Sequence, residues 1–254
     1  MASLSIEPLH VGTCHNVDKS FFTYLVDPGT KIDAAMVMFL IRGAKEHIIV
    51  DTGASDPPWA EQYHYPMDQP PEQEPVAALA RAGLKPADIT TVINTHLHWD
   101  HCYNNDLFPN ARIVVQEEEL RFAVSPLPTQ ALFYESYHLG MTPPWTKTYR
   151  QFEVINGDRE LLPGIFLARL PGHTPGLQGV FVETEQGVYG LVSDFCPLFE
   201  NWTSKPTLKH LKHIPPGYHV DMADVFRSFD KVESLADFVL PSHDPRIMEQ
   251  KVYP

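Results

Sequence analysis

The sequence predicts an α/β layered fold, and three observations carry that expectation. Short runs rich in branched and aromatic residues recur in both halves of the chain, stretches with helical spacing lie between them, and 254 residues is the upper end of what one hydrophobic core serves. Strand-like runs fall at 35–41, 47–50, 91–94, 112–115, 165–170, 179–183, 188–192 and 238–240. Residues 76–82 are alanine-rich and end at Gly83, a helix-terminating glycine. Met222, Phe226, Phe229 and Val232 repeat at helical spacing within 220–236, which predicts an amphipathic helix. Strands in both halves with few helices between them fit sheets covered by helices, not a bundle or an all-β sandwich.

Two segments break this pattern. Residues 56–75 are crowded with proline and carry Trp59, Tyr63 and Tyr65; residues 125–149 mix prolines with Phe133, Tyr134, Tyr137 and Trp145. Long aromatic loops in a compact domain serve as surface connections or as walls of a binding pocket, and the expectation here is that both shape a substrate pocket. No linker or short-period repeat divides the chain, so one domain over 1–254 is the simplest account.

Composition excludes several function classes. A formal net charge of −13 opposes nucleic-acid binding, which needs a basic patch to displace counterions. Lys209-His210-Leu211-Lys212-His213 reads as a solvated loop in so acidic a chain. Gly12, Gly29 and Gly53 form no phosphate-binding loop. The N-terminal stretch lacks a basic region and an apolar run, and no segment approaches the ~18 apolar residues of a membrane span. Three widely spaced cysteines, Cys14, Cys102 and Cys196, make a disulfide framework unexpected and favour a reducing, cytoplasmic setting.

The densest chemical feature is Thr95-His96-Leu97-His98-Trp99-Asp100-His101, directly after a predicted strand. Alternation along an extended chain puts His96 and His98 on one side, while Asp100 and His101 lie where the chain turns towards a second position. Imidazole nitrogen and carboxylate oxygen are ligands for a borderline cation such as zinc. Further candidates follow other predicted strands: His173 in Pro171-Gly172-His173-Thr174-Pro175-Gly176, Asp194 after 188–192, and His243 in Ser242-His243-Asp244. Each stands at the C-terminal end of a strand, where open α/β sheets place their sites. Cys102, beside the cluster, reads as a small buried residue rather than a ligand.

His-x-His-x-Asp-His, then Pro-Gly-His-Thr-Pro-Gly, a strand-terminal Asp and a late His resemble the metallo-β-lactamase superfamily. The likeness runs from Ile48-Ile49-Val50-Asp51-Thr52-Gly53 to His243-Asp244, and within the superfamily it is greatest to the quorum-quenching N-acyl homoserine lactonases and related small-molecule lactonases. The resemblance implies a four-layer αβ/βα sandwich. It implies two divalent metal ions per chain, zinc first, with manganese, iron or cobalt also compatible. His96, His98 and His173 would hold one ion, Asp100, His101 and His243 the other, and Asp194 both. Asp51 would support a histidine ligand from behind. Two such cations ~3.5–4 Å apart share a water and lower its pKa from ~15.7 towards ~7, so that hydroxide attacks the ester carbonyl of a lactone. Asp100 or Asp194 would carry the proton to the leaving oxygen, and a homodimer is an allowed assembly.

One departure is specific. Lactonases of this group often carry a tyrosine three residues after the bridging aspartate, and here that position is Pro197. Tyr134, Tyr137 and His138 are the candidates to take its place at the substrate carbonyl. A glyoxalase II-like thioesterase shares the ligand pattern but usually adds a helical C-terminal domain, for which the sequence after His243 leaves no room. An iron-dependent persulfide dioxygenase uses only the first ligand set, against which the complete second set weighs.

Overall fold

The computed structural model describes residues 3–203 and 210–254. Its twelve strands form two mixed sheets. The first holds β1 (Ser5–Asp18), β2 (Lys31–Arg42), β3 (Ile48–Val50), β4 (Met67–Asp68), β5 (Thr91–Ile93), β6 (Arg112–Gln116) and β7 (Phe152–Ile155), in the order β4-β1-β2-β3-β5-β6-β7. The second holds β8 (Arg159–Leu162), β9 (Ile165–Arg169), β10 (Gln178–Thr184), β11 (Gly187–Ser193) and β12 (Phe238–Pro241), in the order β12-β11-β10-β9-β8. The helices are α1 (Pro57–Tyr63), α2 (Pro75–Arg81), α3 (Trp99–Cys102), α4 (Glu117–Val124) and α5 (Met222–Leu235).

Strand β2 shows why the layers form. Successive side chains point to opposite faces, and here both faces are apolar. Ala35, Val37, Phe39 and Ile41 meet Ile165, Leu167, Val180, Val182 and Leu191 of the second sheet. Ala34, Met36, Met38 and Leu40 point the other way and join Ala60 of α1 with Ala78 and Leu79 of α2. On the far side, Phe181, Val192 and Val239 pack under Val225, Phe229 and Val232 of α5. Helix, sheet, sheet and helix therefore stack as the four-layer sandwich the resemblance implied. Asp221 caps α5 by accepting from the Asp224 amide, and Gly83, at φ +83°, follows α2 as expected.

Several elements were not evident from sequence. Strand β1 carries Pro8 and polar residues at inward positions, and its register shifts between His10 and Gly12 and again between Cys14 and Val17, so it shows no clean period-two pattern. Strands β7 and β8 are only four residues long and interrupted by charge, with Glu153 in β7 and Arg159 and Glu160 in β8, and each lies at one edge of its sheet. Residues 56–75 are not simply loop, since α1 and β4 lie within them. The Lys209–His213 reading needs correction: Lys209 lies outside the described residues, and His213 is buried, not solvated, stacked on Trp202 and Phe229 with Nε2 2.5 Å from Glu233. An imidazole is flat and can share an aromatic stack, which a charge-based reading of the motif does not anticipate. The cysteines are unpaired and buried, and among the described residues no helix is long and apolar enough to cross a membrane.

Candidate metal centre

The seven residues singled out from sequence converge at one edge of the sandwich. Strands β3, β5, β9, β11 and β12 all end there. His96 and His98 follow β5, Asp100 and His101 sit on the single turn of α3, His173 follows β9, Asp194 follows β11, and His243 follows β12. They form two quartets, His96, His98, His173 with Asp194, and Asp100, His101, His243 with Asp194; within each, the donor atoms lie within 4.8 Å of one another. Asp194 is common to both. Its Oδ2 lies 3.5 Å from His173 Nε2 and 3.9 Å from His96 Nε2, while Oδ1 lies 2.9 Å from His243 Nε2 and 3.2 Å from His101 Nε2.

The nitrogens facing away from this point are held by hydrogen bonds. His173 Nδ1 donates to the Tyr218 carbonyl at 2.8 Å and His243 Nδ1 to the Ala35 carbonyl at 2.9 Å. His101 Nδ1 donates to Asp51 at 2.8 Å and His98 Nε2 to Gln130 Oε1 at 2.9 Å. Because these partners accept, the proton of each neutral ring lies on the outer nitrogen and the inner one presents a lone pair. Two such nitrogens face each other in the first quartet, His98 Nδ1 and His173 Nε2 at 3.2 Å, and His96 Nε2 lies 3.0 Å from His98 Nδ1. Facing lone pairs repel, so this arrangement suits a cation among them. In the second quartet His101 Nε2 is buried without a hydrogen bond; it is close to Asp194 but off the line a bond requires. Orphaned, converging donors of this type fit a pair of metal ions.

Electrostatics divide the quartets. Burial, reinforced by neighbouring rings, holds His96 and His98 well below the usual imidazole range, and burial lowers His173 as well. Burial opposes charge on His101 and His243 too, but the Asp194 carboxylate, with Asp100 beyond it, outweighs it and raises both. Burial likewise opposes ionisation of Asp194, yet His243 and His101 hold it well below the usual carboxylate range. The Asp194 and Asp100 carboxylates thus favour positive charge at the second quartet, whereas burial disfavours it on the rings of the first.

Supporting groups around the quartets were only partly foreseen. Asp51, at φ +59°, accepts from the Thr95 amide, the Thr95 hydroxyl and His101, each at 2.8 Å. Ser193, at φ +51°, shares the Thr95 hydroxyl at 2.8 Å. Left-handed backbone at two non-glycine residues stores strain where the surroundings can hold it. Glu119 was missed. It is fully buried, and its carboxylate takes the Leu97 amide at 2.9 Å and the Tyr134 and Thr174 hydroxyls at 2.6 Å each, joining the His96–His98 segment to the His173 turn. Burial raises its pKa against the pull of those donors. A Cβ at Gly176 would lie 2.0 Å from the Glu119 amide nitrogen, so only glycine lets the two segments meet. One of three consecutive glutamates on α4, it gives no sequence signal for this role.

A cavity of about 530 Å³, open to solvent, lies against the quartets. Each aromatic loop supplies one residue to its wall, though not the ones expected. Tyr65 and Phe133 line it, but Trp59 and Trp145 do not: Trp59 donates to Glu135 at 2.6 Å, and Trp145 packs into a separate core cluster. None of Tyr134, Tyr137 and His138 lines it either; the Tyr134 hydroxyl is held by Glu119, and Tyr137 is 61% exposed. The remaining wall comes from β1, β2 and the turn after β1 (Cys14, Val17, Phe21, Phe22, Met36) and from Tyr218. These apolar residues look like core in sequence. Cys102 is buried and belongs to neither quartet.

A four-layer sandwich with two His/Asp quartets at its edge defines the class: an α/β protein built around a dinuclear metal site. The metallo-beta-lactamase superfamily model matches residues 37–243, and the chain belongs to that superfamily. The N-acyl homoserine lactonase of Bacillus thuringiensis is 31% identical over 180 residues, 67% of each chain. The N-acyl homoserine lactonase AiiB of Agrobacterium fabrum (strain C58 / ATCC 33970) is 29% identical over 226 residues, 84% of this chain and 80% of the relative. The solved structure of an N-acyl homoserine lactone hydrolase, with the product N-hexanoyl-L-homoserine bound at its catalytic metal center, shares the fold: TM-score 0.77, 24% identity, 98% of this chain and 96% of that one.

Proposed function

We propose that this protein is a two-metal lactonase that opens the ring ester of a small lactone, an N-acyl homoserine lactone or a related compound, to the hydroxy acid. The observation that supports it most is the pair of quartets sharing Asp194, with every ring but His96 turned by a hydrogen bond to a fixed acceptor and His96 Nδ1 lying 3.2 Å from the Thr95 hydroxyl. His96, His98 and His173 would hold one divalent cation, Asp100, His101 and His243 the second, and Asp194 would join them. Zinc suits this nitrogen and oxygen set, as do manganese, iron and cobalt. Bound there, a cation pair supplies Lewis acidity towards a carbonyl oxygen and activation of water near neutral pH.

The side chains then divide the remaining work. Asp194, bracketed by four rings and accepting from Ser242 Oγ at 2.7 Å, keeps its charge and serves as the shared ligand. Asp100 faces the cavity, with His101 and His243 Nε2 both 3.7 Å away, and is the carboxylate placed to pass a proton to the departing alkoxide. The apolar wall takes the rest of the substrate and excludes water from the reacting end.

Metal-quantified protein assayed against a panel of lactones and S-acyl-glutathione tests this. The expected result is two metal ions per chain, lactone turnover abolished by chelation, and a rate ~10²–10³ lower in Asp194→Ala, the scale on which loss of one charge-stabilising group acts. One ion per chain at full activity, or a preference for the thioester, would overturn it.

A further inference from the structure

The cavity wall is poor in hydrogen-bonding groups. Outside the quartets, the polar atoms of its described residues are the hydroxyls of Tyr65 and Tyr218, the Cys14 thiol and the Trp99 ring nitrogen. Three of these are unsuited to meet a ligand. The Tyr218 hydroxyl donates to the Thr129 carbonyl. Trp99 Nε1 is sealed beneath the surface without a partner. Cys14 is a weak donor in an apolar setting. Pro197 offers no donor at all.

Tyr65 differs. It stands between α1 and β4, half-buried, with its ring edge-on to Phe21 at 6.2 Å, and its hydroxyl makes no hydrogen bond to any described residue. Nor is that oxygen sealed off, and the residue lines the cavity. Burial, and after it the Asp100 carboxylate, push its pKa to about 12, so it remains a neutral donor across the working range.

The backbone beside it is fixed. The His64 side chain is fully buried and lies flat on Trp99 with ring centres 3.9 Å apart and planes parallel. Its Nε2 meets Glu135 Oε1 at 3.0 Å, and the same oxygen accepts from Trp59. Glu135 itself sits at φ +46°. One buried carboxylate thus ties together both aromatic segments and the ring between His98 and Asp100. Such an anchor limits how far Tyr65 can move, which is what a binding group needs.

We infer that Tyr65 is a substrate-binding residue, its phenol donating a hydrogen bond to a carbonyl oxygen of the bound lactone. The inference rests on the lactonase reading above. A carbonyl buried in this cavity beyond reach of the quartets and without such a donor would lose its bond to water and gain nothing in return. A lactone with an N-acyl substituent carries two carbonyls, one in the ring and one in the amide, and the same chemistry serves either.

Tyr65→Phe removes the hydroxyl and keeps the ring against Phe21. The metal-loaded variant should bind a γ-lactam, the non-hydrolysable analogue, about three- to tenfold more weakly by calorimetry, the range for one neutral hydrogen bond. It should show a loss in kcat/KM of the same size on at least one of two lactones matched in ring, one N-acylated and one alkyl-substituted, with metal content and Tm unchanged. Loss on both assigns the ring carbonyl; loss on the N-acylated lactone alone assigns the amide. Lactam affinity and both rates within twofold of wild type would overturn the inference. Wild-type protein that neither turns over lactones nor binds the lactam would instead sink the lactonase reading itself.

Discussion

At the scale of single residues, Asp51 shows how much of a metal site lies behind its ligands. Its carboxylate fixes the His101 ring and the backbone at Thr95, one residue before His96, so it acts on both quartets at once. Its own φ of +59° is a conformation that aspartate tolerates better than most residues, because its short polar side chain bonds locally. Asp51→Ala should weaken metal affinity about 10- to 100-fold, the usual effect of losing an outer partner of a ligating histidine. Competition with a chromophoric chelator measures this, and unchanged affinity would show that Asp51 is only structural. The reason Asp51 could be read from sequence and Glu119 could not is positional. Asp51 ends a strand in a motif, whereas Glu119 is one of three consecutive glutamates on a helix, and only the tertiary fold selects which of the three turns inward.

Among the elements, β1 is the one the sequence concealed most. Pairing patterns are legible when one face is apolar, and β1 instead spreads polar residues over both faces and resets its register twice. Part of what secures it is electrostatic. His15 of β1 meets Asp33 of β2 at 3.0 Å and Asp68 of β4 at 3.1 Å, and the Asp33 carboxylate, ahead of the Asp68 one, raises the imidazole pKa against the opposing effect of burial. A histidine whose folded pKa is raised contributes stability that is fully present below its unfolded value of ~6.5 and fades as pH climbs through the higher folded value. The wild-type Tm should therefore fall relative to that of His15→Gln as pH rises above about 6.5, by a small amount that salt reduces, since the pair is exposed. Parallel Tm–pH curves for the two proteins would rule this out. The strands β2, β3, β5, β6 and β9 to β12, by contrast, were legible, because burial on both faces or one leaves continuous or alternating apolar runs. The pocket wall was not, because Phe21, Phe22 and Met36 are the residue types a core also uses.

For the whole molecule, the quartets draw on both sheets: the first sheet supplies the β5 side and the second supplies His173, Asp194 and His243. Ions bound there cross-link the two halves of the sandwich and stabilise only the folded chain. With free metal at ~1,000 times its dissociation constant the gain is about 4 kcal/mol, and at roughly 2–4 °C per kcal/mol for a chain near this size chelation should lower Tm by about 8–16 °C. Differential scanning fluorimetry before and after chelation, followed by zinc return, checks this; an unmoved Tm would mean that no tightly held ion bridges the sheets. The placement of Asp194 and His243 has a further consequence for how such a chain can change. Each follows directly on one of two neighbouring parallel strands, with Leu191 opposite Leu240 and Ser193 opposite Pro241. Because side chains alternate between faces, inserting or deleting one residue in either strand would swing its ligand to the wrong side. Length variation is thus barred from these strands and left to segments that carry neither a ligand nor an anchor of one, so lineages built on this plan are free to diversify what enters the cavity while inheriting the reaction unchanged.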